Sequence, residues 1–140
     1  MVSVKECTSE DIALLAEMNK QLIEDEKADN PMDIIQLQDR MAEFLNSGYK
    51  AFLFAADESI VGYALCDMTK EPIYLRQFFI KREERRKQYG KTAFEKLLQK
   101  LEVNEIDVDV FAWNEAGMKF YEKIGFAEQW KRMRYNYIGD

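Results

Sequence analysis

Apolar positions change period several times along the chain, and each change marks an element. Val2 and Val4 alternate with Ser3 and Lys5, which predicts a short strand. Thr8 or Ser9 can cap the helix that follows, with Glu10 and Asp11 near its positive end. Ile12, Leu15, Ala16, Asn19, Leu22 and Ile23 then share one helical face, and the next residue on that stripe is Glu26. Lys27–Pro31 breaks the pattern. Ile34, Leu37, Met41, Phe44 and Leu45 restore helical spacing until Asn46-Ser47-Gly48.

From Tyr49 the period shortens. Ala51–Ala56, a turn at Asp57-Glu58-Ser59 and Ile60–Leu65 predict a hairpin, and Ile73–Ile80 adds a strand after the turn at Lys70-Glu71-Pro72. Past the charged stretch Lys81–Lys91, Ala93, Phe94, Leu97, Leu98 and Leu101 mark the inner face of another helix. Ile106–Phe111 alternates as a strand. A helix from about Glu115 to Lys123 buries Gly117, Phe120, Tyr121 and Ile124, and Phe126–Ile138 reads as a last strand, interrupted near Glu128-Gln129. The order β-α-α-β-β-β-α-β-α-β predicts an α/β (α+β) domain around one mixed sheet, a single domain over residues 1–140.

Composition narrows the chemistry. With 47% hydrophobic and 13% aromatic residues the chain can bury a real core. A net charge of -6 argues against nonspecific nucleic-acid binding, which needs an excess of Lys and Arg. There is no histidine, and Cys7 and Cys66 stand far apart, so no metal site is expected. Both cysteines read as small buried residues in a reducing compartment. The first residues lack a basic start and a long apolar run, and no stretch is long enough to span a membrane, so a cytoplasmic protein is expected.

Two segments carry specific chemistry. Arg85-Arg86-Lys87-Gln88-Tyr89-Gly90-Lys91 lies between a predicted strand and a predicted helix. The first turn of a helix has unpaired N–H groups at the positive end of its dipole, Gly90 allows close backbone approach, and Arg85, Arg86, Lys87 and Lys91 add cations. A pyrophosphate would suit such a turn, whereas the interleaved Glu83 and Glu84 also suit a solvated charge run. The second segment is Asn114-Glu115-Ala116-Gly117-Met118-Lys119-Phe120-Tyr121-Glu122-Lys123-Ile124-Gly125-Phe126, in which Gly125 reads as a helix C-cap.

Arg85-x-x-Gln88-x-Gly90 resembles the signature Q/R-x-x-G-x-G/A of the GNAT (Gcn5-related) N-acetyltransferases, with Gln88 where the first glycine usually stands. The second segment is similar to that family's N-x-x-A-x-x-F/L-Y-x-x-x-G-F. With the hairpin strand Ile60-Val61-Gly62-Tyr63-Ala64, the resemblance covers about two thirds of the chain. It implies a GNAT-like, mostly antiparallel sheet flanked by about four helices. It implies a cytoplasmic acetyltransferase that moves an acetyl group from acetyl-CoA to a primary amine, directly and in a ternary complex. Coenzyme A would be held by the loop Arg85–Lys91, including Tyr89, by backbone groups of Phe78, Phe79 and Ile80, and by Asn114. Tyr121 would be the general acid that protonates the leaving thiolate.

The general base is less defined. Where some relatives carry a glutamate, six residues before Ile80, this chain has Tyr74, a poor base at neutral pH. Glu26 is the leading substitute, because a carboxylate on an apolar stripe must line a cleft or find a partner. Glu24, Asp25, Asp67, Glu71 and deprotonation through water remain open alternatives. Arg76 and Gln77 interrupt an apolar strand, and alternation predicts that one of them faces the acceptor together with Glu26. The acidic run Glu24-Asp25-Glu26 points to a small-molecule amine ahead of a protein substrate. A non-catalytic acyl-CoA sensor of the same fold is the competing reading. Relatives often pair through their C-terminal strands, so the segment Trp130–Tyr137 is the expected surface of a homodimer.

Overall fold

The computed structural model describes residues 1–139, the side chain of Arg86 excepted. Its sheet begins with β1 (Val2–Glu6), whose Val2 side chain is buried while its neighbours face outward. Thr8 caps a short 3-10 turn through a reciprocal capping box with Asp11, and α1 (Ile12–Glu26) follows. Lys27 turns left-handed at φ 53° and ends that helix. A second reciprocal box, Asp33 with Gln36, starts α2 (Ile34–Leu45).

The strands β2 (Tyr49–Ala56), β3 (Ser59–Asp67) and β4 (Ile73–Ile80) form an antiparallel meander. After it, α3 (Tyr89–Leu101) crosses over to β5 (Ile106–Val108), which runs parallel to β4, and α4 (Glu115–Ile124) closes the structured part. The sheet order is β1-β2-β3-β4-β5, with only the β4–β5 pair parallel. Among the described residues no helix is long and apolar enough to cross a membrane.

Each face of the sheet has its own core. Leu15, Met18 and Leu22 of α1 and Met41 of α2 pack on Leu53, Tyr63, Leu65 and Phe79. Ala93, Phe94 and Leu97 of α3 pack on the other face, against Phe52, Phe54, Ala64 and Leu75. Burying both faces of the central strands explains why β2 and β3 read as continuous apolar runs.

Three features depart from the sequence reading. No strand forms in 126–139, so the sheet has five strands where six were expected. Alternation there would gather Met133, Tyr135 and Tyr137 on one face, and within the chain that face has nothing to cover: the three are 91%, 83% and 79% exposed. β5 stops at Val108, short of Phe111. Finally, the β3–β4 register shifts where Leu65 pairs with Gln77 and Cys66 with Leu75, leaving Arg76 as the extra residue of a bulge. A one-residue shift reverses the faces, so Gln77 and Phe79 lie on the α1/α2 side although Leu75 lies on the α3 side.

Candidate active site

β4 pairs with β5 only through Ile73–Leu75, so beyond Leu75 the outer edge of β4 has no strand beside it. Lys81 N donates to Val61 O at 2.8 Å. Antiparallel alternation then turns the backbone of Phe79 toward β3, and the N–H groups of Phe78 and Ile80 toward the open edge. On that edge the Ile80 carbonyl accepts a hydrogen bond from Arg85 Nε at 2.8 Å.

The chain leaves β4 through a 3-10 turn over Arg82–Lys87 and reaches α3 through Gln88, which is left-handed at φ 61° and ψ 25°. That conformation is native to glycine and disfavoured for a residue with a Cβ. The Gln88 side chain makes no capping bond, so the first-turn N–H groups, those of Tyr89, Gly90 and Lys91 among them, have no intrahelical partner. With the helix dipole behind them they form an anion cradle. Gly90 serves a second purpose. A Cβ there would lie 2.8 Å from the Phe120 ring, so its absence lets α4 approach and Phe120 stack on Phe78 at 5.8 Å.

Two of the four cations expected around this turn, Arg85 and Lys87, are engaged by carboxylates. Arg82 Nη2 and Asp25 Oδ1 are 2.6 Å apart, Arg85 Nη2 also pairs with Asp25, and the Arg85 guanidinium lies 5.5 Å from the Phe79 ring centroid. Lys87 pairs with Glu84 at 3.0 Å. Lys91 forms no ion pair among the described residues, and the side chain of Arg86 lies outside them. The backbone donors of the turn are thus joined by Lys91, while Arg85 and Lys87 already have carboxylate partners.

Glu26, the last residue of α1, is partly buried, and burial followed by Asp25 raises its carboxyl above the ordinary value. Tyr121 lies close enough to feel that charge. Burial, then Glu26, then Tyr74 keep its phenol protonated well past the usual range. Trp113 Nε1 donates to the Glu26 main-chain carbonyl at 2.9 Å, and Trp113 stacks on Phe111 at 4.7 Å, so the aromatic pair is tied to the backbone at the end of α1. Tyr74 donates to Asp109 at 3.1 Å and is pushed up to about 12, chiefly by burial and then by Asp109, so it remains a neutral phenol.

The other carboxylates named as bases are placed less well. Asp67 is bound by Thr69 Oγ1 at 2.6 Å, and it and Glu71 flank the start of β4, at the other end of the strand. Asp25 is held by two arginines, and Glu24 is exposed. Neither cysteine is poised as a thiolate: burial pushes both thiols up to about 12, with Asp11 a further cause at Cys7. Asn114 caps α4, its Oδ1 accepting from Gly117 N at 3.0 Å, and a Cβ at Gly117 would meet that side chain at 2.4 Å.

The expectation that Arg76 and Gln77 face opposite ways is corrected by the bulge. Gln77 Oε1 accepts from the buried Tyr63 hydroxyl at 2.7 Å, and Arg76 Nη1 lies 3.4 Å from Tyr49 Oη with its guanidinium 4.9 Å from the Phe44 centroid. Both therefore reach the α1/α2 side. The same side holds Asn19, fully enclosed, which accepts from Arg40 Nη2 at 2.9 Å. The sequence reading missed Arg40, Tyr63 and Trp113. Arg40 sits three residues after Leu37 on the inner stripe of α2, a polar interruption of the kind that singled out Glu26. Tyr63 and Trp113 lay within apolar runs with nothing to distinguish them from core.

Residues 12–138 match the family model described as an acetyltransferase (GNAT) domain. No curated protein sequence matches the chain at a significant level. Among solved structures, a possible acetyltransferase from Clostridium difficile 630 superposes with a TM-score of 0.77 at 16% identity, over 99% of each chain. A predicted acetyltransferase with acetyl-CoA from Clostridium acetobutylicum gives 0.72 at 16% identity, over 97% of this chain and 96% of its own. An aminoglycoside acetyltransferase from an uncultured soil metagenomic sample, in complex with sisomicin, gives 0.65 at 15% identity, over 99% and 97%.

Proposed function

The chain belongs to the GNAT acetyltransferase family, and we propose that it transfers an acetyl group from acetyl-CoA to a primary amine by direct attack in a ternary complex. The observation that carries this reading is the run from the open edge of β4 into the uncapped amino end of α3. One supplies outward N–H groups at Phe78 and Ile80 for the acyl and pantetheine portion, and the other supplies converging N–H groups for a pyrophosphate. The solved relative with acetyl-CoA and the one with sisomicin support the choice of donor and of an amine acceptor.

Roles follow from position. Glu26 accepts the proton of the incoming ammonium, and its raised carboxyl brings it closer to that task at neutral pH. The neutral Tyr121 phenol gives a proton to the departing thiolate. Trp113, stacked on Phe111 and bonded to the Glu26 main-chain carbonyl, fixes the end of α1 that carries this base. A catalytically silent acyl-CoA sensor is the second reading, favoured by the non-glycine residue Gln88 in a left-handed loop position.

Calorimetric titration with acetyl-CoA and dephospho-CoA at fixed salt, followed by thiol release with a panel of amines, separates the two. Binding with amine-dependent thiol release supports transfer. Binding without release for any amine supports the sensor, and no binding overturns both.

The assembly reading is a homodimer through the segment Trp130–Tyr137. Trp130, Met133, Tyr135, Tyr137 and Ile138 are all at least 73% exposed in one chain, and β5 ends the sheet with an open edge. Sedimentation of the full chain and of a Trp130→Ala/Tyr135→Ala variant tests it: dimer and monomer, respectively, are expected, and a monomeric parent overturns it.

A further inference from the structure

Arg40 and Arg76 approach the same Phe44 ring, their guanidinium carbons 5.4 and 4.9 Å from its centroid. They are close enough that Arg76, after burial, disfavours the charge on Arg40. Neither forms an ion pair among the described residues. That is unusual in a chain with 26 carboxylates and 20 Lys and Arg side chains, where Asp25 alone takes two arginines. Arg40 is also the one side chain, among the described residues, with a buried polar atom lacking any partner: its Nε. A half-buried guanidinium beside a second one, with an unused donor and no counter-charge, is costly to hold unless an anion joins it.

The pair stands on the acceptor side of the sheet. Arg40 reaches Asn19 on α1, and its charge and that of Glu26 are both felt at the buried Tyr63 hydroxyl. Asn19 and Glu26 are seven residues apart on one helix, a rise of roughly 10 Å. A face with a carboxylate at the end of α1 and two guanidiniums about two helical turns back is complementary to a molecule with an ammonium and a distant carboxylate.

We propose that the acceptor is a primary amine bearing a carboxylate several methylenes away, an ω-amino carboxylate, whose anionic end is held by Arg40 and Arg76. This rests on the acetyl-transfer reading above. The Nε edge and planar fork of arginine suit a carboxylate in a way that lysine would not. The spacing disfavours an α-amino acid, in which one carbon separates the two charges.

Initial rates with 6-aminohexanoate, hexylamine, 1,6-diaminohexane and glycine test the proposal. 6-Aminohexanoate is expected to show at least a tenfold higher kcat/KM than the other three. Arg76→Gln, at an exposed position, should remove most of that advantage, lowering kcat/KM for 6-aminohexanoate at least tenfold more than that for hexylamine; Arg40→Gln should do the same if it folds. Equal or faster turnover of the amines without a carboxylate, or a preference untouched by Arg76→Gln, overturns it. Hexanoate binding followed by titration calorimetry separates this site from the transfer chemistry. Saturable binding weakened tenfold by Arg76→Gln upholds the anion site even if no amine is acetylated, and no hexanoate binding in that case overturns both.

Discussion

Asp25 accepts a hydrogen bond from Arg82 Nε at 2.7 Å, tying the end of α1 to the turn that precedes α3. Arg85 binds the other oxygen of the same carboxylate and also the Ile80 carbonyl, so one side chain links the end of α1, the end of β4 and the turn before α3. Two guanidiniums on one largely enclosed carboxylate form a small network, which holds geometry better than an isolated surface pair.

Asp25→Asn is therefore expected to loosen the Arg82–Lys87 turn without unfolding the domain. Amide hydrogen exchange should quicken across 82–88 while β2 and β3 keep their protection. Unchanged exchange in the turn would mean that the network does not order it.

The elements that position this site were legible where periodicity and end signals agreed. The stripe from Ile12 to Glu26, the break in it from Lys27 and the C-cap of α4 at Gly125 came from local pattern alone. The β4 bulge at Arg76 was not legible, because alternation assumes an unbroken register and nothing in Leu75-Arg76-Gln77 signals an extra residue. The engagement of Arg82 and Arg85 by Asp25 was hidden for a related reason: it joins residues 57 and 60 positions apart. A charge run read along the chain suggests free cations, whereas the fold brings a carboxylate to them.

Gln88 bears strain that a glycine would relieve. A residue with a Cβ in the left-handed region costs about 1–2 kcal/mol, and the greater chain entropy of glycine in the unfolded state takes back about 0.4–1 kcal/mol. Gln88→Gly should thus stabilise the domain by about 0.5–1 kcal/mol, measured by urea denaturation. Gln88→Val should destabilise it, since a β-branched side chain tolerates φ 61° poorly. A destabilised Gln88→Gly variant would show that the glutamine side chain contributes something the backbone geometry does not reveal.

Tyr121→Phe keeps the edge contacts with Phe120 and Phe126 and removes only the hydroxyl. The kcat of acetyl transfer should fall by about 10²–10⁴-fold with little change in affinity for acetyl-CoA. Because burial, Glu26 and Tyr74 hold the phenol protonated beyond its usual range, the parent enzyme should show no alkaline loss of rate up to pH 9 attributable to Tyr121. A full-rate Phe variant would remove Tyr121 from the reaction.

As the proposed base, Glu26 should tie activity and stability to pH in opposite directions. Its folded carboxyl is raised by burial and by Asp25, so between the unfolded and folded values the native state binds more protons than the unfolded chain. Its contribution to stability is thus present below the unfolded value and is lost as pH rises through the folded one. The rate, which needs the carboxylate, should rise with pH through that same raised value. Glu26→Gln is neutral throughout and should abolish the acid limb of the rate profile, lower kcat by about 10²-fold or more and leave the domain more stable than the parent at pH 7. Urea denaturation at pH 4 and pH 7 reads the linkage: the stability advantage of Glu26→Gln should be larger at pH 7. An advantage independent of pH would mean that Glu26 titrates alike in the folded and unfolded chains, and its place in the cleft would then have no effect on its charge.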